Sequence, residues 1–99
     1  MINHISLNAI LLDVENPNSL YRQIKCIRSY KNSSGVFEED IFPCIMWNKN
    51  NKNSLFSYKT GTLVSIDGRI ENIDGQICIV IECLSFLANG SVEFKIKGV

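Results

Sequence analysis

Trp47, Tyr30 and Phe37 offer flat aromatic faces, and Arg22, Lys25, Arg28, Lys31, Lys49, Lys52 and Arg69 offer cations on the same or neighbouring segments. Bases stack on rings and phosphates pair with cations, so the combination has the chemistry to hold an unpaired polynucleotide without reading its sequence. A two-residue period around Cys44 turns Phe42, Cys44 and Met46 to one side and Ile41, Ile45, Trp47 and Lys49 to the other. Each candidate also has a plainer reading. Tryptophans are usually well buried, single lysines are ordinary solvated surface, and Tyr30 could simply cover the end of a barrel. Glu38, Glu39 and Asp40 form an acidic run that would repel phosphate.

Catalytic chemistry is poorly provided for. Cys26, Cys44, Cys78 and Cys83 contain no C-x-x-C pair and each lies in an apolar run, so they read as buried, reduced thiols. The single histidine, His4, is far from all four, which argues against a metal site. No phosphate-binding G-x-x-x-x-G-K-[ST] motif and no nucleophile–base pairing is present, so neither an enzyme, a cofactor nor a small-molecule substrate is expected. Ten Lys and Arg balance ten Asp and Glu, leaving no global field to draw in a polyanion. Any such binding must come from local placement of charge and rings.

The elements that would position these side chains are strands. Ninety-nine residues suffice for one domain, taken as residues 1–99. Segments rich in β-branched and aromatic residues at 4–14, 21–31, 39–48, 62–72 and 76–87 are separated by turn chemistry: Pro17 with its Asn and Ser neighbours, Asn32 to Gly35, and the tight Asp74-Gly75 pair. Residues 49–59 break the rhythm, and a short helix is expected at 53–59, with Phe56 and Tyr58 on the face that plugs the barrel. A further strand at 92–97 would make a carboxy-terminal hairpin of residues 87–99. Three strands, a short helix and two strands are the element order of the OB-fold, so an all-β, five-stranded Greek-key barrel is expected. No apolar run is long enough to cross a membrane as a helix, and residues 1–7 lack the pattern of a secretory leader.

Two blocks carry a family resemblance. Asp40-Ile41-Phe42-Pro43-Cys44-Ile45-Met46-Trp47 resembles the third-strand motif of bacterial single-stranded-DNA-binding (SSB) proteins. The run from Tyr58 through Gly61, Val64, Ile66, Gly68 and Arg69 to Ile70 is similar to that family's Tyr-x-x-Gly-x-x-Val-x-Val-x-Gly-Arg-Leu signature. Arg28-Ser29-Tyr30 and Ile81-Glu82-Cys83-Leu84 add weaker likeness in the second and last strands. The resemblance implies non-sequence-specific binding of single-stranded DNA in replication, repair or recombination, and a cytoplasmic, nucleoid-associated location. It puts Trp47 on the outer face as a base-stacking platform, gives Tyr30 a stacking role, and strengthens Arg28 as a phosphate contact.

The same resemblance implies a homo-oligomer, a dimer or a tetramer, formed along the first strand through Ile5, Ser6, Leu7 and Ile10. The tight hairpin at Asp74-Gly75 stands where the family carries a long loop, so wrapping of long strands is not expected. The chain reaches Val99 without an acidic tip, which resembles short, tailless accessory members of the primosomal replication protein B type. Two other readings stay open: a protein-interaction or primosome accessory module, and an RNA-binding OB domain.

Overall fold

The computed structural model describes residues 3–89; the strand expected at 92–97 lies outside the described residues. β1 (Ile5–Leu11), β2 (Arg22–Lys31), β3 (Phe37–Met46), β4 (Leu63–Ile73) and β5 (Gln76–Ala88) close a barrel in the order β1-β2-β3-β5-β4. Every neighbouring pair is antiparallel except β3 with β5, which run parallel. A 3₁₀ turn (Lys49–Asn51) leads into a one-turn helix, α1 (Lys52–Phe56), between β3 and β4. This is the OB-fold arrangement. The helix comes earlier than the expected 53–59, because Asn48 caps the turn by accepting from the backbone N–H of Asn50 at 3.0 Å.

Alternation along the strands fills the barrel. Ala9 and Leu11, Ile24, Cys44 and Met46, Val64 and Ile66, and Ile79 and Ile81 converge on one buried cluster, and Leu55 of α1 closes its base. Leu55 is fully buried, a burial that contributes about 1.5–3 kcal/mol. Phe56 and Tyr58 pack partly against the same cluster, as expected for the plugging face.

The β5 run is apolar on both sides because a second cluster lies outside the barrel. There Ile45, Cys78 and Val80 are covered by Leu20 from the β1–β2 loop and by Ile73. Ile45 is therefore buried, although its outward direction was expected to expose it. Asp74 (φ 53°) and Gly75 (φ 82°) make the tight β4–β5 turn, whose paired positive φ values match the right-handed twist of the hairpin.

Arg22 departs most from expectation. It begins β2 in the inward register of Ile24, and the guanidinium is buried rather than solvated. Its Nε donates to the carbonyl of Leu12 at 2.9 Å, and Nη1 donates to those of Leu55 and Tyr58 at 3.0 and 2.8 Å. One side chain thus satisfies carbonyls that follow β1 and end α1, which is what makes its burial tolerable. Burial pushes its pKa down from the usual arginine value. It is a structural clamp and is removed from the set of phosphate contacts.

Candidate nucleic-acid interface

The outer face of β3 carries the aromatic candidate. Met46 ends the strand facing inward and buried, so Trp47 turns outward and is 60% exposed. Its backbone N–H donates to the carbonyl of Ile81 at 2.8 Å, which fixes Trp47 against β5 one step beyond the paired residues Met46 and Ile81. Ile41 stands exposed on the same face of β3, and the covered Ile45 lies between them. Tyr21, half-exposed, precedes inward-facing Arg22, which is registered with Cys44. The sequence pattern marks Tyr21 only as a strand start, so this partly exposed ring is not among its candidates.

The β2–β3 hairpin carries the other rings. Tyr30 is strongly exposed near the end of β2. Phe37 opens β3, two residues before the expected strand start, so it stands on a strand and not in the loop. Lys31 pairs with Phe37 across the strands and holds its ammonium 5.6 Å from the ring centroid. At the hairpin turn, Asn32 Oδ1 accepts from the N–H groups of Ser34 and Val36.

Most of the expected cations meet carboxylates. Lys25 Nζ lies 3.1 Å from Glu39. Arg28 donates to both oxygens of Asp40 at 2.9 Å, and Glu38 is 3.7 Å away. Arg69 donates to Glu71 at 2.5 Å and to Glu82 at 2.9 Å. Hydrogen bonding to Asp40 raises the Arg28 pKa, and hydrogen bonding from Arg28 holds the Asp40 carboxyl below its usual range. Glu71 does the same for Arg69.

The register also divides the expected track. Cys26 pairs with Asp40 and packs against the barrel cluster, so Arg28, two residues beyond Cys26 and bonded to Asp40, lies on the inner side of the hairpin. Lys25, Glu39, Ile41 and Trp47 belong to the outer side, and Arg69 joins them from β4, opposite Val80. Lys49 is exposed beside Trp47 and has no ion-pair partner among the described residues. Lys52 instead donates to the Pro17 carbonyl at 2.6 Å and sits over the Phe56 ring, away from the rings of the β2–β3 hairpin.

The candidate interface strand is only half enclosed. β1 pairs with β4 over Ile5 to Ile10, but with β2 only at Ile10 and Leu11. Ile5 and Leu7 turn inward against the core and Ile10 is buried, so Ser6, hydrogen-bonded to Asp67, Asn8 and the backbone edge are what β1 presents.

No protein-family profile matches the chain. It is similar to single-stranded DNA-binding protein B of Bacillus subtilis, with 38% identity over 63 residues that cover 59% of this chain and 56% of that protein. The chain spans about half the length of the curated relatives it matches. Among solved structures, it resembles the small single-stranded DNA-binding protein of Streptomyces coelicolor (TM-score 0.64, 12% identity, 88% of this chain and 96% of that one). It also resembles the protein PriB of Ralstonia solanacearum (TM-score 0.60, 15% identity, 89% and 100%). At these identities the structural likeness establishes the barrel.

Proposed function

We propose that this chain binds single-stranded DNA without sequence preference, by stacking bases on the outer face of β3 and pairing phosphates with the cations around it. The observation that carries the reading is the exposed indole of Trp47, the only tryptophan, on a backbone bonded to β5. Stacking on such a ring contributes about 1–3 kcal/mol per base. The similarity to a protein named for binding single-stranded DNA supports the same substrate, and a role in replication, repair or recombination is proposed with it. Tyr30, Phe37 and Lys31 at the hairpin, Lys25 and Arg69 on the barrel, and Lys49 beyond Trp47 complete the proposed contact set. Arg28 reaches a strand only where it crosses the inner side of the hairpin. The contribution of the chain is binding, not catalysis.

The half-open edge of β1 supports a homodimer in which backbone pairing through residues 5–9 is supplied by a second copy. Sedimentation should give twice the 11.2 kDa chain mass; a species at 11.2 kDa alone overturns the dimer.

Mobility shifts with oligo-dT, oligo-U and duplex DNA test the substrate. Retardation of oligo-dT, weakened by added salt, is the expected result. Preference for oligo-U transfers the reading to RNA, and no retardation of any probe refutes nucleic-acid binding.

A further inference from the structure

Glu82 follows Ile81, the residue hydrogen-bonded to Trp47, and Arg69 reaches across from β4 to hold it at 2.9 Å while also holding Glu71 at 2.5 Å. The arginine beside the proposed stacking platform is thus already occupied by two carboxylates. The pattern recurs at Lys25 with Glu39 and at Arg28 with Asp40, in a chain whose formal charges cancel. Unpaired cations would attract phosphate more strongly than these paired ones do.

We propose that Glu71 and Glu82 are resident competitors for phosphate at Arg69, so that a single strand binds there by exchange. This rests on the outer face being the nucleic-acid interface. When a phosphate takes the guanidinium, the contacts to Glu71 and Glu82 break and the freed carboxylates take up cations from solution. Counterions released from the strand are thereby partly recaptured, and binding depends on salt less steeply than the number of phosphate contacts would require. Exposed ion pairs of this kind are weak enough for phosphate to displace. Affinity is then carried mainly by base stacking, and the carboxylates set how much of the charge contributes.

The test is the salt dependence of oligo-dT binding by the wild type, by Glu71→Gln/Glu82→Gln, and by Glu15→Gln/Asp74→Asn. The last removes two negative charges from residues with no ion pair among the described residues. Glu71 and Glu82 side chains are 41% and 47% exposed, so their amides should leave the fold intact. With one cation freed, the log–log slope of the first variant should steepen by about 0.7, its advantage over wild type growing about fivefold for each tenfold fall in salt. The second variant should run parallel to wild type. Parallel lines for all three proteins, or equal steepening in both variants, overturn the competition. Wild type that binds no oligo-dT at any salt refutes the interface itself, an outcome distinct from parallel lines.

Discussion

The backbone N–H of Trp47 donates to the carbonyl of Ile81 at 2.8 Å across the parallel contact of β3 and β5. This bond fixes the backbone of Trp47, so that its side chain leaves the sheet on the outer face.

Trp47→Ala should therefore weaken oligo-dT binding at least about tenfold, a loss of about 1.4 kcal/mol or more, and Trp47→Phe should recover most of it. Because the ring is exposed, stability should move by no more than about 0.5 kcal/mol. Anisotropy titrations paired with thermal melts check both halves.

Arg22→Ala should destabilise the fold severely. It strands the carbonyls of Leu12, Leu55 and Tyr58, and a loss of about 3 kcal/mol or more is expected. For a chain of this size, that is a fall in Tm of about 12 °C or more. Arg22→Lys, with a single ammonium in place of a fork, should rescue only part. A Tm near wild type for the alanine variant would contradict the clamp.

Gly68→Ala should also cost stability, for a different reason. A Cβ there would come within 2.0 Å of the Val80 carbonyl oxygen, where β4 and β5 shift register between Asp67 and Gly68. Neither backbone can yield without opening the pair, so a loss of about 1–3 kcal/mol is expected from denaturant midpoints.

Asp40 should titrate below the ordinary aspartate value of about 3.9, because Arg28 donates two hydrogen bonds to its ionised form. A depressed native pKa means that the pair's stabilisation is present above about pH 3.9 and disappears as pH falls through the native value. Carboxyl NMR titration should show this midpoint, and Arg28→Gln should return it towards 3.9.

Thiol reactivity provides a further check on burial. Cys83 is exposed, whereas burial pushes Cys44 up to about 12 and raises Cys26 and Cys78. At pH 8 a thiol reagent should modify Cys83 first, and all four cysteines only on unfolding.

The five barrel strands and the β4–β5 turn were legible because alternation and the Asp74-Gly75 pair are local signals, and their order followed from matching the element order to the OB-fold. The outward direction of Trp47 followed the two-residue period, although that period alone could not exclude a core tryptophan. What was not legible depends on distant segments. Arg22 is buried because carbonyls 10, 33 and 36 residues away converge on it, and no local pattern announces such a clamp. Ile45 is buried in a cluster with Cys78 and Val80, packed by Leu20 and Ile73, that assembles only when the barrel closes. The separation of Arg28 from Lys25 follows from the pairing of Cys26 with Asp40, and the occupation of Arg69 from β4–β5 register; neither can be read along a single strand.

The central claim is that bases stack on the outer face at Trp47, and its fluorescence reports on that position alone because the chain has no other tryptophan. Titration with oligo-dT should quench the emission saturably, while duplex DNA at the same phosphate concentration leaves it nearly unchanged. Emission that is indifferent to oligo-dT, or quenched equally by duplex, would contradict the account.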